Sequence, residues 1–159
     1  MSAQLDSERY WARLALEAQR MRKEEPTFHP VDGRLTHWRG IIYGSTGSLY
    51  EGGMFRVEIK ITRSFPFEPP QVLWHTRIWH PNIAFGEKPP FSVCIAILGR
   101  EWRPQTNIVG IIESLRALLT NPNPDSPLNA EAAYQQRREP TKFFERAREF
   151  VSNYANKGW

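Results

Sequence analysis

The spacing of apolar residues changes along the chain, and each change predicts a different element. Good helix formers fill residues 3–24, and this helix should end at Pro26 because proline disfavours helical geometry in the residue before it. Residues 53–61 alternate instead, which predicts a strand with one face on a core. The positions expected to face the core are Phe55, Val57, Ile59 and Ile61. Those expected to face water are Met54, Arg56, Glu58 and Lys60.

Three further strands are predicted around this one. Residues 36–43 and Gln71–Trp74 favour strands, and a fourth short strand is expected over 28–31. Glycines between 44 and 53 mark a turn. Because the strands follow each other through short turns, they should form a four-stranded antiparallel meander.

The last third of the chain returns to helical spacing. Residues 108–119 carry one apolar stripe, which ends at the two prolines of 121–124. A short helix is expected over 129–138, and Pro140 suits the first turn of a final helix. Its predicted apolar face is made of Phe143, Ala147, Phe150, Val151 and Tyr154. The order of elements indicates the α+β class, with helices flanking the sheet.

Residues 76–104 have no clean period and are rich in proline, glycine and aromatic side chains. A long irregular segment inside a compact domain is usually functional. This segment contains Cys94, the only cysteine of the chain. One thiol excludes an internal disulfide and a multi-cysteine zinc cage, and it suits a reducing compartment. By its apolar neighbours alone, Cys94 is either a buried filler or a nucleophile.

Length and charge narrow the class of protein. The 159 residues predict a single domain over 1–159. Of the ionisable residues, 21 are basic and 17 are acidic, but the charges are dispersed, so we expect no nucleic-acid partner. No stretch approaches the roughly 20 apolar residues of a membrane span, and no secretory signal is visible. We therefore expect a cytoplasmic protein with no membrane partner.

Short motifs on both sides of Cys94 change its interpretation. They are YEGG at 50–53, PFEPP at 66–70, HPN at 80–82, WRP at 102–104 and PNPDSPLN at 122–129. In this order, over about residues 5–155, the chain resembles the ubiquitin-conjugating enzymes. The resemblance implies that fold, with a first helix, the meander, a long active-site loop and carboxyl-terminal helices. It also implies no metal and no small cofactor, since ATP is used by a separate activating enzyme.

The resemblance assigns roles to residues of the irregular segment. Cys94 matches the nucleophile that takes the carboxyl-terminal glycine of a ubiquitin-like modifier as a thioester and passes it to a substrate lysine. Asn82 is in the position that supports the oxyanion, either directly or by bracing a loop, and both roles stay open. His80 is expected to support the site structurally. Ser126 stands where many members carry an aspartate. It either caps a turn or orients the incoming lysine, and its phosphorylation would restore a negative charge.

Partner surfaces follow from the same resemblance. Phe67 and Pro104 match the two loops that meet a ligase, expected to be of the RING type, although Phe67 could instead pack in the core. Arg9 and Arg13 are candidates for binding the activating enzyme, although a solvated helix face is the favoured interpretation.

Two features depart from the family. His80 precedes Cys94 by 14 residues where about ten is usual, so roughly four extra residues should lie within 85–90. The insertion leaves the geometry between Asn82 and Cys94 open, although the chain can bulge outward and keep both ends in place. Phe91 also stands where a glycine is usual. Arginine outnumbers lysine 16 to 5, and guanidinium groups do not attack thioesters. Lys88 in the insertion is the natural site of self-modification.

Other functions remain open from the sequence. The chain could be a non-catalytic scaffold of the same fold that binds a modifier. It could also be a cysteine hydrolase that uses His80 or His75 as its base. A nucleic-acid binder is a more distant alternative.

Overall fold

A long first helix, a small sheet and three final helices follow each other along the chain. The computed structural model describes residues 2–159. Its helices are α1 (Ser2–Glu24), α2 (Ile108–Thr120), α3 (Ala130–Arg138) and α4 (Pro140–Tyr154). Its strands are β1 (His29–Val31), β2 (Arg34–Tyr43), β3 (Met54–Lys60) and β4 (Gln71–Trp74). The predicted α+β class and the order of elements are confirmed.

The four strands form one antiparallel meander in the order β1-β2-β3-β4. Gly40 of β2 lies opposite Val57 of β3, and Ile59 of β3 lies opposite Val72 of β4. This register places the predicted apolar positions of β3 on the face that packs against α1 and α2. Phe55, Val57 and Ile59 are fully buried there.

The first residues of α2, α3 and α4 show why each of these helices begins where it does. The side chain of Asn107 accepts a hydrogen bond from Gly110 N at 2.7 Å, and that of Asn129 accepts one from Ala132 N at 3.1 Å. Each satisfies a backbone donor that has no partner within its helix. Pro140 occupies the first turn of α4, where its missing N–H costs nothing. Across residues 2–159, no helix combines the length and the apolarity that a bilayer span requires.

The outer face of the sheet differs from the expectation that alternate residues of β3 face water. Glu58 is only 5% exposed, because side chains from the neighbouring strands cover it. Its carboxylate bonds Nε2 of His37 on β2 and, at 2.9 Å, Nε2 of His75 just after β4. Burial alone would raise the pKa of Glu58, but the two histidines outweigh that effect and lower it below its ordinary value.

The carboxyl-terminal Trp159 also lies on this outer face. Its indole Nε1 donates to the Gly40 carbonyl at 3.0 Å, and its ring is 4.8 Å from that of His75. The guanidinium of Arg39 stacks over it at 4.6 Å. Alternation along β3 therefore describes the inner face well and the outer face poorly.

A buried carboxylate joins α1 to α2. Glu17 is 2% exposed, and its Oε1 accepts from Ile108 N at the start of α2 at 2.7 Å. Its Oε2 accepts from Arg13 Nε at 3.0 Å. A carboxylate is favourable at a helix amino terminus, where backbone N–H groups point outward. Glu17 thereby fixes how the first helix sits against the segment that follows Trp102.

Candidate active site

Cys94 is held beside Asn82 by the backbone of the irregular segment. The Cys94 N–H donates to the Asn82 carbonyl at 2.9 Å. The same pairing continues through the next residues of both segments. Ile83 and Val93 form an antiparallel bridge, and Ala84 N donates to Ser92 O at 2.9 Å. Cys94 is half-buried. The sequence places no regular strand here, yet backbone pairing fixes both residues.

The insertion lies beyond this pairing. Residues 85–90 leave the paired segment after Ala84 and return before Ser92, and they bulge outward with most of their side chains exposed. The ring of Phe85 packs edge-on against Trp79 at 5.2 Å, which anchors one end of the bulge. At the other end, Phe91 exchanges backbone hydrogen bonds with Trp74, the last residue of β4. The extra residues therefore leave Asn82 and Cys94 adjacent.

The side chain of Asn82 is 2% exposed and is engaged at both ends of its amide. Its Nδ2 donates to the Asn123 carbonyl at 2.7 Å, and its Oδ1 accepts from Asn123 N at 2.8 Å. These two bonds fasten the loop that follows α2 to the segment that carries Cys94. Of the two roles left open from the sequence, the contacts favour bracing of the loop.

His80 is fully buried and its two ring nitrogens both have partners. Nε2 lies 2.9 Å from the Leu118 carbonyl, and Nδ1 accepts from Asn82 N at 2.9 Å. These partners assign the proton to Nε2. Burial lowers the pKa of His80 to about 4, although the bond to Leu118 opposes the shift. A neutral ring with both nitrogens engaged supports the loop and has no free position for a proton from Cys94.

This buried neutral histidine should make the fold sensitive to acid. Unfolded His80 takes up a proton near pH 6.5, whereas folded His80 stays neutral down to about pH 4. The unfolded state therefore binds more protons between these values, and stability must fall as the pH falls. We expect His80 to lower the free energy of unfolding by about 2 kcal/mol at about pH 5, measured by urea denaturation.

A His80→Gln variant isolates this contribution, because the other histidines remain. Its unfolding free energy should depend less on pH between about 6.5 and 5 than that of the parent protein. Glu58 does not interfere, since a carboxyl with a lowered pKa loses its stabilising effect only below its ordinary value of 4.5. Equal pH slopes for the two proteins would contradict the assignment.

A cleft of about 410 Å³ opens beside Cys94. Its walls are Asn82, Cys94, Ile95, Ala96, Arg100, Leu118, Asn123 and Ser126. The structure thus brings Cys94, Asn82 and Ser126 together in the walls of one cleft. His80 lies beneath the cleft, since it contacts both Asn82 and Leu118.

Five residues of this cleft were not identified from the sequence, namely Ile95, Ala96, Arg100, Leu118 and Asn123. Asn123 lies in the PNPDSPLN motif, which marked this segment as part of the site. The spacing of the motifs did not predict that Asn123 bonds Asn82. Leu118 belongs to the apolar stripe of α2 and was expected only in the core. No motif pointed to Arg100, which among the described residues is the only charged one in the walls of the cleft.

A second groove, of about 580 Å³, runs between α1 and the PFEPP loop. It brings together Arg9, Arg13 and Phe67. Phe67 is 79% exposed, so the alternative of core packing does not apply. Arg13 bonds the carbonyls of Pro104 and Thr106 at 2.8 and 2.9 Å, so its guanidinium also ties the WRP loop to α1. Arg9 is exposed beside it.

Comparison with known proteins agrees with this architecture. The sequence model described as ubiquitin-conjugating enzyme matches residues 12–151. A curated relative, ubiquitin conjugating enzyme E2 B of Dictyostelium discoideum, is 35% identical over 146 residues, covering 90% of this chain and 96% of that protein. The solved E2 domain of a Toxoplasma gondii ubiquitin conjugating enzyme superposes with a TM-score of 0.81 at 32% identity, covering 92% of this chain and 99% of that one.

These likenesses define both the class and the fold. The chain has the E2 fold of that solved domain, with the amino-terminal helix, antiparallel sheet and carboxyl-terminal helices in the same arrangement. It belongs to the ubiquitin-conjugating enzyme family.

Proposed function

We propose that this protein is a conjugating enzyme that carries a ubiquitin-like modifier as a thioester on Cys94. It receives the modifier from an activating enzyme and passes it to a substrate lysine together with a ligase of the RING type. The observation that carries the proposal is the position of Cys94. This half-buried residue lines a cleft and its backbone N–H is bonded to the Asn82 carbonyl, in the motif order of the family.

The proposed chemistry consists of two acyl transfers. The Cys94 thiolate attacks the thioester between modifier and activating enzyme, the new carbon–sulfur bond forms, and the activating enzyme leaves as a thiolate. An unprotonated lysine amine then attacks the same carbonyl, and Cys94 leaves as a thiolate while the amine loses a proton. Negative charge develops on the carbonyl oxygen in both steps, and donors near Cys94 would stabilise it.

The hydrolase alternative receives no support from the cleft. A cysteine hydrolase needs a base within hydrogen-bond reach of its thiol. Among the residues that line the cleft in the described part of the chain, none is a histidine, an aspartate or a glutamate. His80 has both nitrogens engaged, and Nε2 of His75 bonds Glu58 on the outer face of the sheet.

The groove along α1 is proposed as the surface for both partner proteins. It presents the exposed ring of Phe67 and the charge of Arg9 within one depression, and Arg13 links it to Pro104. An exposed aromatic anchor next to charged groups suits a small transient interface. Since Arg9 and Phe67 line the same groove, the activating enzyme and the ligase would bind in turn.

A nonreducing gel tests the proposed function. The protein is mixed with a candidate modifier, its matched activating enzyme and ATP. We expect an adduct that requires all three and that disappears on treatment with thiol. Release of free modifier that is faster than transfer to an added amine would instead favour a hydrolase. If no adduct forms on a protein that is shown to be folded, across the modifiers tested, the proposal fails.

The charge at position 126 should tune the attack by lysine. Arg100 is the only charged group in the walls of the cleft, and it repels an incoming ammonium. A Ser126→Asp variant adds an exposed carboxylate that attracts it. We expect discharge of the thioester to free lysine to become about two- to fivefold faster, as for a solvent-exposed ion pair. Single-turnover discharge at low ionic strength measures the rate.

Ser126→Asn is the matched control, since an asparagine side chain has nearly the same shape as an aspartate side chain but carries no charge. It should discharge at the rate of the parent protein, and added salt should reduce the gain of the aspartate variant. Equal rates for the aspartate and asparagine variants would remove both the electrostatic role and the idea that phosphorylation of Ser126 is activating.

A further inference from the structure

A second polar cleft lies behind the insertion, and it shares no lining residue with the cleft of Cys94. It has a volume of about 240 Å³ and is bounded by the outer face of β3, the bulge of residues 85–90 and the end of α4. Three basic residues line it, namely Arg56, Arg77 and Lys157, and one acidic residue, Glu87, lies opposite. We call it the basic cleft.

The three cations of the basic cleft lack carboxylate partners. In residues 2–159, no Asp or Glu oxygen lies within 4.0 Å of a side-chain nitrogen of Arg56, Arg77 or Lys157. Within residues 2–159, the side chain of Arg56 bonds the neutral hydroxyl of Thr76, at 3.3 Å from its Nε, and no charged group. Converging positive charges repel each other, so this arrangement is favourable when an anion neutralises them.

Arg77 is the fixed element of the basic cleft. Its guanidinium lies 4.4 Å from the ring centre of Tyr154 and 5.8 Å from that of Phe85, so aromatic side chains hold it in place. Its Nε is buried, and no acceptor in the described chain bonds it. The guanidinium of Arg77 is therefore partly removed from solvent, and a bound oxyanion would offset the cost of burying its charge.

We propose that the basic cleft binds a phosphoryl group, either free phosphate or a phosphorylated side chain of another protein. Three cations and one carboxylate leave two net positive charges, which matches the charge of about −1.5 to −2 of a phosphoryl group at neutral pH. Two guanidinium groups offer the paired N–H donors that suit tetrahedral oxyanions. Nε2 of His75 is engaged by Glu58, so the donors are the two arginines, Lys157 and the neutral side chains of Asn153, Tyr154 and Asn156.

The proposal predicts that removing a cation weakens binding and that removing Glu87 strengthens it. Inorganic phosphate and a short neutral peptide carrying one phosphoserine are titrated separately by calorimetry at low ionic strength. Arg77→Gln should weaken the binding of either probe by at least about tenfold, and Lys157→Gln by severalfold. Glu87→Gln should tighten binding by severalfold, because it removes the one repulsive charge.

Controls separate this site from the general basic charge of the protein. Arg138→Gln removes an exposed arginine of α3 that does not line the cleft, and it should leave binding unchanged. The NMR resonance of the Arg77 Nε–H reports occupancy directly and should shift on titration. Arg77 also packs on aromatic rings, so the exposed residues Lys157 and Glu87 decide the matter if Arg77→Gln fails to fold.

The two probes distinguish the source of the phosphoryl group. Tighter binding of the peptide than of phosphate indicates a modified partner protein, and the reverse indicates free phosphate. Absence of binding of both probes at 10 mM, a Glu87→Gln variant no tighter than its parent, or an Arg138→Gln variant as weak as Lys157→Gln each overturns the proposal.

Discussion

Replacing Cys94 by serine is expected to convert a thiol-labile adduct into a thiol-resistant one, and replacing it by alanine to abolish the adduct. A serine oxygen can take the acyl group, but an alkoxide is a poorer leaving group than a thiolate, so the resulting ester resists both reducing agent and amines. Charging assays on reducing and nonreducing gels measure the difference. The loss in Cys94→Ala should be complete, because the chain contains no second cysteine.

The activating enzyme provides the internal control for this experiment. Its own thioester with the modifier must still form in the presence of each variant, so that a missing adduct reports on position 94 alone. The serine ester should be cleaved by alkali but not by thiol, and it should not pass its modifier to free lysine at a measurable rate. A thiol-labile adduct on Cys94→Ala would show that the acyl group is carried elsewhere, and the proposed mechanism would be wrong.

The fold could be predicted from the sequence because its strongest patterns are local. Alternation in residues 53–61 and the apolar stripe of 108–119 each concern one element and one face. Both bury the residues expected, except that Leu118 of the stripe is half-buried and lines the cleft. The ends of helices were equally local, since Asn129 and Pro140 act within one turn. These features depend on neighbours in the sequence, so a single chain is enough to read them.

The outer face of the sheet could not be read in this way. Glu58 is buried by His37 and His75, which are 21 and 17 positions away, and Trp159 reaches the sheet from the carboxyl terminus. Glu17 is similar, since its partner Ile108 lies 91 residues further on. A polar residue at an apparently exposed position gives no local sign that distant side chains will cover it.

The candidate site likewise combines residues that short motifs identified with a contact between distant segments that the sequence did not predict. Cys94, Asn82 and Ser126 were found through motifs, and the structure brings them to one cleft. The contact that fixes Asn82 was not found, because it joins the segment before Cys94 to a loop 41 residues away. The Asn82 side chain bonds backbone atoms of Asn123, and every residue type has those atoms. The pairing therefore could not be predicted from the sequence and is visible only in the structure.

The hydrogen bonds between Asn82 and Asn123 predict a large effect of substitution at position 82. Replacing Asn82 by alanine removes both hydrogen bonds to the Asn123 backbone, which should lower the free energy of unfolding by about 1–3 kcal/mol. Discharge of the thioester to lysine should slow by on the order of 10², the loss typical when stabilisation of an oxyanion is removed, directly or through a displaced loop. Charging of Cys94 should be affected less, because its backbone bond is to the carbonyl of residue 82, which alanine retains.

Asn123→Ala distinguishes bracing from direct oxyanion support. The Asn123 side chain accepts a hydrogen bond from Asp125 N at 3.0 Å, so its removal loosens the same loop and leaves the amide of Asn82 intact. If Asn82 acts by bracing, as its contacts favour, Asn123→Ala should reproduce part of the loss in discharge. If Asn82 donates to the oxyanion directly, the alanine variant at 123 should discharge at the parental rate. Urea denaturation of both variants, together with single-turnover discharge, separates lost stability from lost chemistry, since a purely catalytic donor would change the rate without changing the unfolding free energy.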